Sequence, residues 1–199
     1  MYPALARLVE ALGFSALSIY NDLWYQPPLT PLVLAAQATS RIRLGVASYN
    51  PWLLHPVELA GQIAQLDLIS DGRAYWGLSR GAWLDEIGVD QQQPLRRLRE
   101  TIDMVEHLLA GKHATYRGTA ARLEANHALR FQVQRQNVPL LIGSWGRRTL
   151  ALAGERAHEV KIGGSTNPDI VPLIAGWVAE GATHAGREPA EIGICLGAV

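Results

Sequence analysis

The sequence predicts an α/β fold in which a parallel β-sheet is flanked by helices. Short apolar strand candidates alternate with amphipathic or apolar helix candidates along most of the chain. Gly, Pro and Ser-Asp-Gly segments stand where these elements should begin or end. Because parallel strands need a crossover between them, this alternation favours right-handed β-α-β units.

The first half of the chain contains three strand candidates and four helix candidates. Leu5, Leu8 and Leu12 have helical spacing, and Ile42, Leu44 and Val46 alternate as in a strand. The predicted strands are 15–20, 41–49 and 74–79, and the predicted helices are 3–12, 31–40, 55–69 and 94–111.

In the second half, residues 112–137 break the alternation, and we interpret them as an excursion that can form a hairpin. The alternation then returns, with strands at 138–144, 159–163 and 192–198 and helices at 146–157 and 168–185. No linker divides the chain, so residues 1–199 are expected to form one domain.

Two sheet architectures fit these six strand candidates, an open sheet and a closed barrel. An open doubly wound sheet needs about five or six strands, whereas a (β/α)₈ barrel needs eight and typically ~250 residues. The count favours the open sheet, although no G-x-G-x-x-G loop follows any strand candidate. A barrel without its first strand and its last strand–helix units would give the same pattern, because the chain opens on a helix and stops inside an apolar strand.

Composition limits the function classes. The chain has 18 Lys+Arg and 18 Asp+Glu and no basic run, so it lacks the charge typical of a nucleic-acid binder. No stretch approaches the ~18 apolar residues of a membrane span. One cysteine, Cys195, excludes an internal disulfide framework, and the six histidines show no metal-ligand spacing. We expect a cytoplasmic protein without a metal site.

The strongest functional signal is the segment 138–149, VPLLIGSWGRRT. A buried strand ends at Gly143, a turn contains Gly146, and a helix follows with Arg147 and Arg148. Free N–H groups at a helix N-terminus, together with arginines, favour an anion, most naturally a phosphate. An ordinary strand–helix turn with two solvated arginines is the alternative interpretation.

Three other strand ends carry polar residues that a site could use. They are the loop 77–88 (GLSRGAWLDEIG), Asp22 after the first strand, and Asn50 after the second. Each has a plainer alternative: a polar loop, a turn cap at Asp22 and a turn start at Asn50-Pro51. Four tryptophans follow strand ends and suggest a pocket for a flat ligand, or packing beneath loops: Trp24, Trp52, Trp83 and Trp145.

Three segments together resemble a known family: ISDGRAYWGLSRGAWLDEIGV, PLRRLRETIDMVEHLLAGK and VPLLIGSWGRRTLALAGERAHEVKIGG. They resemble the bacterial luciferase-like monooxygenase superfamily, and within it the branch that uses coenzyme F420, including enzymes similar to methylenetetrahydromethanopterin reductase. The resemblance implies a (β/α)₈ TIM-type barrel, here incomplete, in place of the open sheet. It places the cofactor at the carboxyl-terminal rim of that barrel.

The resemblance also implies roles for single residues. Asp22 matches an acid near the deazaflavin ring and is the catalytic candidate, and Asn50 matches a polar residue that touches the ring. Ala47-Ser48 matches a position that often holds a non-prolyl cis peptide. Gly81 and Asp85 match the loop that flanks the ring or its side chain. The residues that match the phosphate loop are Trp145, Gly146, Arg148 and Thr149.

Two departures from the family pattern bear on the chemistry. Leu23 stands where many relatives have His, and Ala82 stands where sugar-phosphate dehydrogenases carry a catalytic Glu. Hydride transfer that depends on positioning therefore fits better than strong acid–base catalysis.

We therefore expect an F420-dependent oxidoreductase acting on a small molecule. The alternatives are an FMN-dependent monooxygenase of the same fold and a shortened, non-catalytic barrel that only binds the cofactor. The resemblance further implies a homo-oligomer, with helix 55–69 as the candidate interface. The chain is expected to be a fragment or shortened reading frame, or to complete its barrel by association.

Overall fold

The computed structural model describes residues 1–197, in which strands and helices alternate as predicted. The strands are β1 (Ala16–Ile19), β2 (Arg43–Tyr49), β3 (Ala74–Ser79), β4 (Tyr116–Arg117), β5 (Arg122–Leu123), β6 (Leu140–Gly143), β7 (Glu159–Gly163) and β8 (Gly193–Gly197). The helices are α1 (Tyr2–Ala11), α2 (Leu29–Ala38), α3 (Pro56–Ile69), α4 (Pro94–Leu109), α5 (Arg147–Arg156) and α6 (Val171–His184). The predicted last strand begins at Gly193, and its predicted end at Ala198 lies outside the described residues.

Six strands form one parallel sheet in the order β1-β2-β3-β6-β7-β8. Each strand pairs with the next sheet strand along the chain, so the order never reverses. A doubly wound sheet reverses at a switch point, and the open-sheet interpretation of the strand count is therefore wrong. Right-handed crossovers that advance in one direction place the helices on one face, where each helix packs against the next.

The main core lies between this helical layer and the outer face of the sheet. Strand alternation directs apolar side chains outward, among them Leu44, Trp76, Ile142 and Val160, and each is buried. The Trp76 indole also donates a hydrogen bond to the carbonyl of Val138 at 3.2 Å, which satisfies its buried N–H group.

The inner face of the sheet is concave and more polar. Arg43 on β2 and Glu159 on β7 form an ion pair at 2.5 Å, although three strand spacings, about 14 Å in a flat sheet, separate these strands. The sheet therefore curls. The edge strands β1 and β8 are only partly covered in the described chain.

The excursion at 112–137 contains the expected hairpin, in which β4 and β5 pair antiparallel. Glu100 on α4 holds its turn, accepting hydrogen bonds from Thr119 Oγ1 at 2.7 Å and Ala120 N at 2.6 Å. At the far end of the excursion, Arg135 binds the buried carboxylate of Asp67 on α3. Two side chains thus attach the excursion to the helical layer.

Among residues 1–197, no helix combines the length and the apolar character needed to cross a membrane.

Candidate functional site

A cavity of about 470 Å³ opens at the carboxyl-terminal edge of the curled sheet, and we call it the edge cavity. Residues at or just after the ends of β1, β2, β3, β6 and β7 form its walls, because parallel strands end at the same edge. Of the predicted site residues, it brings together Asp22, Asn50, Gly81 and Trp145.

A second cavity of about 740 Å³ adjoins the first, and Arg80 and Ser144 line both. The predicted residues Gly146, Arg148 and Thr149 line this second cavity. We call it the arginine groove, since four arginines line it: Arg80, Arg96, Arg99 and Arg148. The predicted ring loop and phosphate loop thus lie along one continuous surface.

Asp22 lies in the loop after β1, where it is half-buried and lines the edge cavity. The turn is closed by the main chain, because the carbonyl of Asp22 accepts a hydrogen bond from Tyr25 N at 3.1 Å. Within residues 1–197 the Asp22 carboxylate makes no hydrogen bond or ion pair. It is therefore available to a ligand and does not cap the turn.

Asn50 serves the turn after β2 and the cavity at once. Its Oδ1 accepts hydrogen bonds from Trp52 N and Leu53 N, each at 3.1 Å, as expected for an Asn that starts a turn. Within the described residues its Nδ2 has no acceptor, and the side chain lines the edge cavity. The preceding Ala47-Ser48 bond is cis, which confirms the expectation drawn from the family pattern.

Gly81 allows the loop after β3 to turn close to Asn50. Its φ is +89°, and a Cβ placed there would lie 2.8 Å from Asn50 Cβ and 2.9 Å from Leu84 Cδ1. Only glycine meets both demands without strain. Asp85, by contrast, is exposed in the 3₁₀ turn Asp85–Ile87 and lines neither cavity, so its role beside a cofactor stays a prediction.

The β6–α5 turn is held by a set of short-range hydrogen bonds. Ser144 N donates to the Lys161 carbonyl at 3.2 Å, and Gly146 N donates to Ser144 Oγ at 3.0 Å. The Trp145 indole donates to the Gly163 carbonyl at 3.0 Å, which fixes its ring across the ends of β6 and β7. Hydrogen bonds within the protein therefore hold this turn in place without a ligand.

The structure distinguishes the two arginines of this turn. Arg147 pairs with Glu180 on α6 through three contacts of 3.1 to 3.3 Å. Arg148 lines the arginine groove, and within residues 1–197 its guanidinium contacts no carboxylate. The first N–H groups of α5, on Arg147 and Arg148, also have no hydrogen-bond acceptor within the described chain. The donors of the predicted anion site therefore lie together, and binding of an anion there stays a prediction.

Sequence reasoning missed Lys161, which lines the edge cavity beside Ser48 and Ser79. Lys161 lines the edge cavity and also the concave face below it. The signal was strand alternation in β7, where Val160 and Ile162 are buried outward and Lys161 points inward. On the same concave face, burial raises the pKa of the Tyr75 hydroxyl, which shares a hydrogen bond with Ser18.

The predicted aromatic rim is wrong for three of its four members. Only Trp145 lines the edge cavity. Trp24 lies in an apolar groove beside β1, Trp52 lies beneath the Arg97 guanidinium at 5.4 Å, and Trp83 is exposed. A strand end locates a residue at the rim, but the loop that follows decides where its ring packs. No metal-binding group of three or more His, Cys, Asp or Glu residues occurs within residues 1–197.

Comparison with known proteins gives one family. The model of the luciferase-like monooxygenase family matches residues 2–199. A 5,10-methylenetetrahydromethanopterin reductase of Methanolobus tindarius is 31% identical, over 95% of this chain and 57% of its own length. A flavin-dependent trigonelline monooxygenase oxygenase component of Acinetobacter baylyi is 27% identical, over 75% of this chain and 40% of its own.

A solved structure resembles the whole described fold. It is the coenzyme F420-dependent tetrahydromethanopterin reductase of Methanopyrus kandleri, with a TM-score of 0.91 and 29% identity. The match covers 98% of this chain and 60% of that one. The chain thus spans about three fifths of the length of the reductases that it matches.

Proposed function

Because the chain belongs to the luciferase-like monooxygenase family, we propose that it binds coenzyme F420 and belongs to an F420-dependent oxidoreductase with a small organic substrate. The observation that carries the proposal is the continuity of the edge cavity with the arginine groove. A flat ring and an anionic chain attached to it need those two compartments side by side. The similar proteins include a 5,10-methylenetetrahydromethanopterin reductase and a coenzyme F420-dependent tetrahydromethanopterin reductase.

The shape of the site fits coenzyme F420. A Cβ at Gly163 would meet nothing within 4 Å, and one at Gly143 would meet first Ser48 Oγ, at 3.5 Å. At Gly146 the first contacts would be hydroxyl oxygens, at 3.7 and 4.0 Å. Side chains at these positions would project into space that a ring and its side chain require, and glycine leaves that space open.

The donors also fit. Arg148 and Thr149 line the arginine groove beside the free N–H groups at the start of α5, and Ser144 lines both compartments. These are the groups that hold a phosphate in many proteins. Arg148 supplies charge, and the helix N-terminus supplies directed N–H groups and a partial positive charge.

When bound, the deazaflavin would supply or accept a hydride at its ring. Asn50 has its Oδ1 fixed by two backbone N–H groups, so its Nδ2 is the atom that it offers to an acceptor in the cavity. Asp22 offers an acceptor, or a site for a proton, on a carboxylate that has no other partner in the described residues. Ala82 supplies no acid–base group, and the site therefore acts mainly by positioning.

We further propose that the six-stranded arc forms part of a (β/α)₈ barrel wall in a cytoplasmic protein. The one-directional strand order and the single helical layer support this arrangement. Association of copies through α3 is part of the same proposal, since Leu68 on that helix is 39% exposed.

FMN is the second candidate, because a flavin-dependent monooxygenase component is among the similar proteins. FMN also has a flat ring and a phosphate, and the donors described above suit both cofactors. In that case the protein would be a monooxygenase.

The test is a measurement of the equilibrium binding of F420 and of FMN, in which the fluorescence of the ligand reports the bound fraction. We expect F420 to bind, Arg148→Gln to weaken binding about tenfold or more, and Arg147→Gln to leave it unchanged. Arg147 is the matched control because it is the neighbouring residue and its guanidinium faces Glu180. Preference for FMN would move the assignment to a monooxygenase, and a folded chain that binds neither would overturn the proposal.

A further inference from the structure

A lysine lies inside the curled sheet without a counter-ion. Lys161 is half-buried on the inner face of β7, where it lines the edge cavity and also a cavity of about 360 Å³ below it. Glu159, two residues earlier on the same face, is already paired with Arg43. Within residues 1–197, the Lys161 ammonium makes no hydrogen bond and no ion pair. Because half-burial removes part of its hydration, an anion beside it is favoured.

Glycines keep space around this lysine. A Cβ at Gly197 on β8 would lie 3.4 Å from Lys161 Cε, so the aliphatic stem leans towards β8 in the room that this glycine leaves. A Cβ at Gly163, the next inward position of β7, would meet nothing within 4 Å. The space above the stem is therefore open, and the ammonium is within reach of a group that enters the edge cavity.

Lys161 lies on the side of the edge cavity that the proposed ring site leaves open. The ring site is formed by Asp22, Asn50 and Gly81, which follow β1, β2 and β3. Lys161 lies on β7, and β6 separates that strand from β3 in the sheet. Hydride transfer needs two molecules held side by side. A ring held by the first three strands leaves the β7 side of the cavity for the second molecule.

We propose that Lys161 binds a carboxylate of the substrate, so that the substrate is a small organic acid. The proposal rests on the proposed function only in calling this ligand the substrate. A carboxylate carries the single negative charge that one ammonium balances. Asp22, on the far side of the cavity, repels the same group and so orients the acid with its carboxylate towards β7.

The chain offers an internal control for the test. Of its 18 Lys+Arg residues, only Lys112 and Lys161 are lysines. Lys112 is exposed after α4 and lines neither the edge cavity nor the cavity below it. Reductive methylation with ¹³C-formaldehyde labels each amine and keeps its positive charge. The whole chain then gives NMR signals from these two lysines and the amino terminus, and the Lys161→Gln variant identifies the signal of Lys161.

The probes are benzoate and its uncharged analogue benzamide, added at constant ionic strength with and without F420. We expect benzoate to move the Lys161 signal in a saturable way and benzamide to bind about tenfold more weakly or worse. The signal of Lys112 should stay in place. Calorimetry on the unlabelled chain should show about tenfold weaker benzoate binding in Lys161→Gln and no change in Lys112→Gln. Thermal melting checks that both variants are folded.

Two results would overturn the proposal. One is a Lys161 signal that benzoate moves in neither condition, or that benzamide moves equally. The other is loss of F420 binding in folded Lys161→Gln, because the lysine would then belong to the cofactor site. Retained F420 binding in that variant supports the substrate role. If benzoate binds at Lys161 but the chain binds neither F420 nor FMN, the proposed function falls and the carboxylate site stands.

Discussion

Single residues at the carboxyl-terminal edge show which parts of the site the sequence can predict. Asp22, Asn50, Gly81 and Trp145 were predicted, and they meet in one cavity because each follows a parallel strand. Lys161 was missed because its strand reads as apolar until alternation separates its two faces. Strand ends predict which residues share a rim, whereas the contacts of Asn50 and the φ of Gly81 depend on the folded loops.

We predict that Gly81→Ala destabilises the protein more than Gly88→Ala does. Both glycines have positive φ, +89° and +76°, so alanine is strained at either position. Only at Gly81 would the Cβ meet other atoms, at 2.8 and 2.9 Å. We expect a loss of about 1 kcal/mol for Gly88→Ala and about 3 kcal/mol for Gly81→Ala, measured by urea unfolding. Equal losses would show that the contact with Asn50 has no energetic weight.

A second prediction separates the two roles of Asn50. Asn50→Asp keeps an oxygen to accept from Trp52 N and Leu53 N, but it removes the Nδ2 donor that faces the cavity. We expect near-wild-type melting and about tenfold weaker F420 binding for Asn50→Asp. Asn50→Ala should lower both stability and binding. If Asn50→Asp binds F420 as the wild type does, the amide does not contact the cofactor.

At the scale of elements, periodicity predicts most helices and strands, and side-chain anchors decide the rest. The bounds of β3 and β7 match their predicted bounds. Helix α2 begins at Leu29, before the predicted start at residue 31, because Pro31 is tolerated within a first helical turn and need not open it. The attachment of the hairpin to Glu100 is long-range, and no local pattern in the sequence announces it.

We predict that Glu100 makes the stability of the protein depend on acid. Burial raises the pKa of the Glu100 carboxyl, but hydrogen bonds from Ala120, Thr119 and Arg96 outweigh burial and lower it to about 2. A carboxyl whose pKa falls on folding stabilises the folded state above its ordinary value of 4.5, and that contribution is lost as the pH falls from 4.5 towards 2.

The measurement is the difference in free energy of unfolding between wild type and Glu100→Gln as a function of pH. The difference should be largest near neutrality and shrink below about pH 4.5. Trypsin should also cleave after Arg117 and Arg122 faster in Glu100→Gln, because the hairpin loses its anchor. Glu124→Gln, on the exposed side of the hairpin, is the control. A difference that does not vary with pH would contradict this account of Glu100.

The second anchor of the excursion predicts a large cost for losing one charge. The Asp67 side chain is 1% exposed and pairs with Arg135 at 2.5 Å. Arg135→Met would leave that carboxylate buried without its partner, at about 3 kcal/mol. The half-exposed pair Arg43–Glu159 is the comparison, and Arg43→Met should cost less than about 1 kcal/mol. Chemical unfolding of both variants measures this, and equal costs would show that burial of Asp67 is unimportant.

At the scale of the whole molecule, the sequence predicts the parallel α/β class, but the strand count favours a doubly wound sheet whose strand order the structure does not have. Six strands fit an open sheet and a barrel arc equally, and only their spatial order separates the two. A usable signal was present in the inward positions, where Gly45, Gly77, Glu159 and Lys161 alternate with buried apolar residues. A strand covered by helices on both faces would carry apolar residues at those positions too.

The central claim is that the edge cavity holds a deazaflavin ring while the start of α5 holds its phosphate. A crystal structure of the chain grown with F420 tests this claim most directly. We predict the ring between Asp22, Asn50 and Gly81, and the phosphate on Ser144, Arg148 and the first N–H groups of α5. F420 bound elsewhere on the chain, or a phosphate turned away from α5, would contradict the account.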